Sequence, residues 1–229
     1  MRTSLTDTAE YRDFCKLAAD NPAVFKTFRR QPEYSHVVAV HPDDGRRYLE
    51  RLEVWPERAE DATGSPLMFE AERVMLDPVM VRYHHDRQEI WRRFGPTSDM
   101  RIVEIGGGFG GLARLVAPFC ESYAICDLPE VRALQDVYLA RFDVQVDDAE
   151  PGDYDLVIST FAFSELVPDV QRQYAEDYLC GSPRGWMICN FLAEGLGPAE
   201  LLDLVPCARW EPEVPRTHPL NRVLVWGDE

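Results

Sequence analysis

The sequence of 229 residues is short of positive charge, since 24 basic side chains face 40 acidic ones and the formal net charge is −16. A field of that sign repels phosphate backbones and anionic membrane surfaces, so neither a nucleic acid nor a membrane is expected as a partner. The sequence also has no run of 18 apolar residues, no signal-peptide core near its start and no Cys-x-x-Cys pair. These absences argue against a membrane span, a secreted protein and a zinc or disulfide framework, and they predict a soluble cytoplasmic protein.

Hydrophobic residues make up 45% of the chain, which is enough to bury a core and argues against a disordered protein. Two patterns meet near residue 100. Residues 1–99 show helical periodicity interrupted by turn signals, and the clearest helix is predicted over Pro78–Phe94 with Asp77 as its N-cap. We predict that residues 1–99 form a helical cap that contributes to substrate selection. Residues 100–229 are expected to form the core, and the two parts to make one compact unit.

From residue 100 onward, short apolar runs alternate with amphipathic segments, as is typical of a parallel, doubly wound sheet. The strands are predicted at Met100–Ile105, Tyr123–Asp127, Phe142–Val146, Asp155–Thr160 and Trp186–Leu192. The helices are predicted at Gly110–Phe119, Pro129–Ala140, Pro168–Leu179 and Pro198–Leu204. Two further strand candidates, Cys207–Glu213 and Arg222–Trp226, follow with no helix between them. The pattern therefore predicts a Rossmann-like α/β fold with a mostly parallel seven-stranded sheet that closes with an antiparallel hairpin.

A glycine-rich loop follows the first of these strands and is the most specific motif of the sequence. Its glycines 106, 108 and 110 let the backbone turn sharply and approach a ligand closely. Asp127 ends the next strand, about twenty residues after the first glycine, where a carboxylate can accept the ribose hydroxyls of an adenosine. Asp147 and Asp148 follow the third predicted strand and suit an adenine edge, although a solvated loop explains them nearly as well. The pattern indicates a nucleoside-bearing cofactor.

Two cofactors are compatible with this loop. Gly106, Gly108 and Gly111 satisfy the G-x-G-x-x-G fingerprint of nicotinamide dinucleotides, but that match alone is weak. Glu104 comes two residues before the first glycine, where a carboxylate would repel a pyrophosphate and attract the ammonium group of S-adenosylmethionine (SAM). The sheet also ends in a hairpin, and no second α/β half follows to hold a nicotinamide. SAM is therefore the favoured cofactor, with S-adenosylhomocysteine (SAH) as its product.

Four stretches of the sequence resemble a known family, the class I SAM-dependent methyltransferases, and in detail the sugar O-methyltransferases of polysaccharide and natural-product gene clusters. The stretches are Glu104–Arg114, Asp127–Val131, Ser159–Leu166 and Asn221–Gly227. The likeness covers roughly residues 75–227, whereas residues 1–75 match nothing.

The resemblance also implies roles for particular residues. The methionine end of SAM would lie on the glycine loop, the ribose on Asp127, the adenine between Leu128 and Asp148, and the methyl group above the end of the fourth strand. The implied cofactor residues are Glu104, Gly106, Gly107, Gly108, Phe109, Gly110, Asp127, Leu128, Asp148, Ser159, Thr160 and Phe161.

Methyl transfer to a sugar hydroxyl needs a general base, and three residues are candidates. Glu165 follows the fourth strand at the edge of the predicted cleft, where it could equally be a first-turn acid of a helix. His84 lies at the edge of the apolar stripe of the Pro78–Phe94 helix, whereas His85 is predicted on its polar face. His218 lies in the loop between the last two strands. A boundary or surface histidine is the alternative interpretation for each imidazole.

The predicted activity is transfer of a methyl group from SAM to a hydroxyl of a sugar or glycosylated small molecule. Asn190, at the end of the fifth strand, is a candidate acceptor contact. The alternatives are a phenol, carboxylate or amine acceptor, a nicotinamide-dependent oxidoreductase, and a partner protein that has lost the chemistry. The acids of residues 147–155 would suit a divalent metal, but a solvated turn explains most of them, so no metal site is assigned. A homodimer is left open.

Overall fold

The computed structural model describes residues 8–55, 62–192 and 195–228. Its helices are α1 (Ala9–Asp20), α2 (Pro22–Phe25), α3 (Pro32–Ser35), α4 (Pro42–Leu49), α5 (Pro78–Phe94), α6 (Gly111–Val116), α7 (Pro129–Leu139), α8 (Ala162–Glu165), α9 (Pro168–Tyr174) and α10 (Pro198–Leu204). Its strands are β1 (Phe69–Ala71), β2 (Val74–Leu76), β3 (Arg101–Ile105), β4 (Ser122–Cys126), β5 (Asp147–Asp148), β6 (Leu156–Thr160), β7 (Gly185–Cys189), β8 (Arg209–Pro212) and β9 (Arg222–Trp226).

The main sheet has seven strands in the order β5-β4-β3-β6-β7-β9-β8. Strands β3 to β7 pair in parallel, and β9 runs antiparallel to both of its neighbours. The predicted fold class is thus confirmed, including the closing hairpin. The strand order changes direction between β3 and β6, so the carboxyl end of β3 lies at the switch point of the sheet. Ligands of such folds bind at this point.

The sheet is covered by helices on both faces. On one face the strand residues Ile102, Ile125 and Ile158 share a core with side chains of α1, α5, α6 and α7. On the other face Val157 and Met187 pack against the residues that come directly after α9 in the chain and against α10. Phe28 and Tyr34, from the first hundred residues, belong to the first of these cores. One continuous core therefore includes residues from both sides of residue 99, where the sequence pattern suggested a division into two parts. That division stays a prediction.

Helix α5 has the bounds that the sequence predicts, and the Asp77 side chain accepts a hydrogen bond from the Val79 amide as its N-cap. Two other predictions about local structure are wrong. The third strand was expected at Phe142–Val146, but those residues precede β5, which consists of Asp147 and Asp148 themselves. A small antiparallel hairpin, β1–β2, stands in the N-terminal region where only helices were expected.

Within the described residues, no helix is long and apolar enough to cross a membrane. The same residues include no group of three or more histidine, cysteine, aspartate or glutamate side chains placed to hold a metal ion.

Candidate active site

A cleft of about 630 Å³ lies at the carboxyl ends of β3, β4 and β6. Its volume is within the range of small-molecule sites, roughly 300–1,000 Å³. The sheet contributes the glycine loop after β3 and the residues that end β4 and β6. The N-terminal region contributes residues 37–39 and part of α5, and the loop between β8 and β9 contributes the opposite edge. The N-terminal region, the strand ends of the sheet and the β8–β9 loop therefore build the cleft together.

The glycine loop adopts backbone angles that side chains rarely allow. Gly106 and Gly108 line the cleft with φ values of +75° and +56°, and Gly110 has a φ of +89° where α6 begins. A Cβ atom at Gly106 would lie 2.0 Å from the Cβ of Ala162, so glycine is required there by space as well as by conformation. The loop thus runs tightly against the start of α8 and leaves its backbone facing the cleft.

Asp127 lines the cleft and is bonded to the glycine loop. Its Oδ2 accepts hydrogen bonds from the Gly107 amide at 3.0 Å and from Gln135 Nε2 at 2.9 Å, and its Oδ1 accepts one from the Leu128 amide at 2.8 Å. Burial raises the pKa of this carboxyl to about 6, while these hydrogen bonds oppose the rise. One lone pair remains on Oδ1 for a ligand, because each carboxylate oxygen accepts about two hydrogen bonds and Oδ2 already accepts two.

Glu104 is near the end of β3 and does not line the cleft. The side chain is fully buried, the Tyr123 hydroxyl donates to its Oε2 at 2.9 Å, and its Oε1 has no hydrogen-bond partner. Burial raises the pKa of Glu104 to about 8. A nearby cation would stabilise the charged form of this carboxyl and would lower its pKa.

Replacing Glu104 with glutamine is expected to stabilise the ligand-free protein increasingly as the pH rises. Between the ordinary pKa of 4.5 and about 8, the unfolded chain releases this proton while the folded protein keeps it, so wild-type stability falls across that window. Each pH unit removes at most about 1.4 kcal/mol. Thermal melts of both proteins across the window measure the difference. The exposed Glu176, changed to glutamine, is the control; a constant difference for Glu104→Gln would contradict the prediction.

The other predicted cofactor residues divide into two groups. Leu128, Thr160 and Phe161 line the cleft together with Gly106, Gly108 and Asp127. Phe161 follows β6 with a φ of +74°, a strained angle for a residue with a side chain and one that is found most often at functional sites.

The second group does not line the cleft. Ser159 is buried, donates to the Ile105 carbonyl and accepts from the Phe163 amide, so it joins strands and helix rather than a ligand. Phe109 is packed in the core. Asp148 is exposed, is bonded to Arg132 at 2.7 Å and does not line the cleft. Gly107 and Gly110 shape the loop without lining the cleft.

Two of the three candidate bases line the cleft. Glu165 is half-buried, and its Oε1 accepts a hydrogen bond of 2.6 Å from Nδ2 of Asn190, which lines the cleft beside it. His218 lies at the exposed edge, where its Nδ1 accepts from the Leu220 amide at 3.3 Å. His84 is buried and is not part of the lining. His85, expected on a polar face, is also buried, so that expectation is wrong.

Arg82 is a cleft residue that the sequence analysis missed. Its side chain is only 8% exposed, its Nε has no hydrogen-bond partner, and the closest acid, Asp86, lies 3.8 Å away. The guanidinium lies over the rings of Tyr83 and Phe161. A buried cation of this kind, facing a cleft, is suited to an anionic group of a ligand. No signal in the helical periodicity distinguishes it from a solvent-facing arginine.

Glu213 anchors the edge of the cleft that the β8–β9 loop forms. This buried carboxylate accepts hydrogen bonds from the Tyr48 hydroxyl, the Thr217 amide and hydroxyl, and Nδ2 of Asn221, at 2.8–3.0 Å. Thr217 and Asn221 line the cleft, whereas Tyr48 belongs to α4. One acid therefore joins the N-terminal region to the loop that carries His218.

Comparisons with known proteins bear on the fold. No family model and no curated protein matches the sequence. Among solved structures, the chain is similar to magnesium protoporphyrin IX methyltransferase from Synechocystis PCC 6803 with bound SAM, with a TM-score of 0.51 and 13% identity over 65% of this chain and 79% of that one. A SAM-dependent methyltransferase from Aquifex aeolicus matches with a TM-score of 0.44 and 13% identity, over 62% and 88% of the two chains. The chain has the fold of the class I SAM-dependent methyltransferases.

Proposed function

We propose that this protein transfers a methyl group from SAM to a hydroxyl of a sugar or glycosylated small molecule. The observation that carries the proposal is the placement of Gly106, Gly108 and Asp127 around one end of a cleft at the switch point of a methyltransferase fold. The backbone of the loop can approach a ligand closely, and the free lone pair of the carboxylate beside it can accept a ribose hydroxyl.

The residues around the loop are compatible with the methionine end of SAM. The buried guanidinium of Arg82 is suited to a carboxylate. The buried Oε1 of Glu104, which has no hydrogen-bond partner, favours an ammonium or sulfonium nearby. Leu128 and Phe161 provide apolar and aromatic surface for the rest of the molecule. SAM supplies a methyl group that its sulfonium already activates, so the protein's task is mainly to align the acceptor with it.

A dinucleotide is less compatible with the same residues. Glu104 is buried two residues before the loop, and a pyrophosphate there would offer its unpartnered Oε1 no cation, whereas the ammonium of SAM would supply one. After β7 the described chain continues into α10 and the β8–β9 hairpin, which offers little surface for a nicotinamide half. These observations favour SAM over NAD.

Polar side chains at the other end of the cleft support a hydroxylated acceptor. Glu165 and Asn190 lie together, and the β8–β9 loop adds Thr217, His218 and Asn221. A sugar needs several such partners, because each of its hydroxyls both donates and accepts. In this proposal Glu165 takes the hydroxyl proton, and Asn190 positions it through the 2.6 Å hydrogen bond. Leu166 and Leu192 beside them could contact the apolar part of a glycoside.

Thermal unfolding with SAH, with NAD and without ligand tests the cofactor assignment. At a hundredfold excess over its dissociation constant, a ligand adds about 2.7 kcal/mol to the free energy of unfolding. For a chain of this size that corresponds to roughly 5–10 °C in Tm. We expect SAH alone to produce this shift. A shift with NAD instead, or none with SAH, would contradict the proposed function.

A further inference from the structure

A second cavity of about 310 Å³ lies between α4, α5 and the strands β7, β8 and β9. Tyr48, His85, Asp86 and Trp186 form its buried part, and Arg93 and Glu211 lie nearer the surface. Among the described residues, none lines both this cavity and the cleft. The cavity is therefore a separate feature of the molecule, with a volume at the lower end of the range for small-molecule sites.

Polar atoms without partners are concentrated around this cavity. Both carboxylate oxygens of Asp86 lack a hydrogen-bond partner although the residue is fully buried, and so do His85 Nδ1 and Trp186 Nε1, in residues only 3% and 2% exposed. Arg93 Nε is a fifth such atom. Two side-chain nitrogens lie near the Asp86 carboxylate, His85 Nδ1 at 3.7 Å and Arg82 Nε at 3.8 Å, and both distances are beyond hydrogen-bond range. Buried polar atoms in folded proteins nearly always have partners, so these atoms indicate an occupant.

The chemistry of the unpartnered atoms restricts what that occupant can be. In its ionised form Asp86 offers acceptors only, whereas Trp186 Nε1 and Arg93 Nε are donors. A cation would satisfy Asp86 and leave both donors unpaired. An anion would satisfy the donors but would meet the carboxylates of Asp86, Glu211 and Glu213. Hydroxyl groups donate and accept at once, and the rings of Tyr48 and Trp186 add the aromatic surface that small-molecule sites commonly have.

We propose that this second cavity binds a neutral polyhydroxylated molecule of about the size of a monosaccharide. Asp86 accepts hydrogen bonds from its hydroxyls, and Trp186 and Arg93 donate to them. The inference does not depend on methyl transfer, because its residues lie outside the cleft. Binding in the second cavity can therefore be correct even if the proposed methyl transfer is wrong, and it can be wrong while the proposed methyl transfer is correct.

The indole signals of the ¹⁵N-labelled full-length protein provide the test, and the Trp186→Phe variant assigns the signal of Trp186. The probes are methyl glucoside, methyl galactoside and methyl mannoside, with ethanolamine hydrochloride as a cationic probe and sodium phosphate as an anionic one. We expect at least one glycoside to shift the Trp186 signal saturably, with a Kd in the millimolar range or below. The Trp210 and Trp226 indoles, which donate to the carbonyls of Pro198 and Ser182, are expected to stay in place.

The Asp86→Asn variant tests the contact that the inference assigns. It keeps the size of the side chain but removes its charge, so we expect about tenfold weaker glycoside binding. The exposed Glu176→Gln variant is the control and should bind as the wild type does. A Trp186 signal that no glycoside moves, as for a cavity filled with water only, would overturn the proposal. So would a response to ethanolamine or phosphate alone, or equal glycoside affinity in Asp86→Asn.

Discussion

Replacing Gly106 with alanine is expected to remove SAH binding and to destabilise the protein. The added Cβ would lie 2.0 Å from the Cβ of Ala162 and would stand on a backbone with a φ of +75°. Strain at such an angle costs roughly 1–3 kcal/mol, and overpacking a further 1–3 kcal/mol. The loop can relieve the contact only by moving away from α8, and a displacement of about 1 Å at a reacting centre can slow methyl transfer about a hundredfold. Calorimetric titration with SAH and chemical unfolding measure the two effects.

Gly95 provides a matched control for this variant. Its φ is also +75°, but a Cβ added there would meet nothing within 4 Å. Gly95→Ala should therefore show the strain alone, a loss of roughly 1–3 kcal/mol, with SAH affinity unchanged. If Gly106→Ala bound SAH as tightly as Gly95→Ala does, the glycine loop would not be the cofactor site.

Replacing Glu165 with glutamine is expected to lower the rate of methyl transfer by about 10²–10⁴-fold, while SAH affinity stays unchanged. A general base contributes a factor of this size, and glutamine cannot take the proton although it retains an oxygen that Asn190 can bond. The measurement uses tritiated SAM and an acceptor found by screening monosaccharides, methyl glycosides and phenols. The screen also separates the sugar from the phenol alternative.

Two further variants make the Glu165 result specific. Glu176→Gln removes an exposed acid of the same type and should leave the rate as it is. His218→Gln tests the other candidate base in the cleft. If Glu165→Gln kept the wild-type rate while His218→Gln lost it, the base would be His218, and Glu165 would be left as a contact for the acceptor.

The sequence allowed the sheet to be predicted because buried parallel strands are short apolar runs separated by helices. The third strand was misplaced for a local reason. Phe142, Val144 and Val146 alternate with polar residues as a strand would, and all three are partly buried against the core. Asp143, however, has a φ of +54°, which interrupts an extended backbone. The alternating pattern is satisfied by a packed loop, so periodicity alone could not separate the two.

The β1–β2 hairpin escaped prediction because its turn has unusual residues. Glu72 and Arg73 occupy positions with φ values of +46° and +69°, where Asn-Gly or Asp-Gly is the usual signal. The burial of helix α5 escaped prediction for another reason. A single apolar stripe assigns its opposite face to solvent, yet Arg82, His85 and Asp86 are all buried. Contacts with α4 and the C-terminal strands cover that face, and these long-range contacts leave no trace in the sequence of the helix.

The candidate site was predictable where a motif fixes the backbone. The glycine loop and Asp127 follow from their spacing, and the structure places Gly106, Gly108 and Asp127 in the lining of the cleft. Ser159 and Asp148 were less predictable, because their positions follow from which way a side chain turns at the end of a strand. Arg82 and the residues around Glu213 come together only through tertiary folding.

The Glu213 network has a consequence for exchanging segments between proteins of this fold. Because one carboxylate holds both α4 and the loop that borders the cleft, neither segment can be replaced independently of the other. A chimera that receives a foreign α4 without a tyrosine at position 48 leaves a buried charge with one hydrogen bond fewer. Such chimeras should therefore keep the position of the loop only when the incoming helix has a tyrosine at position 48, so the helix and the loop have to be transferred as a matched pair.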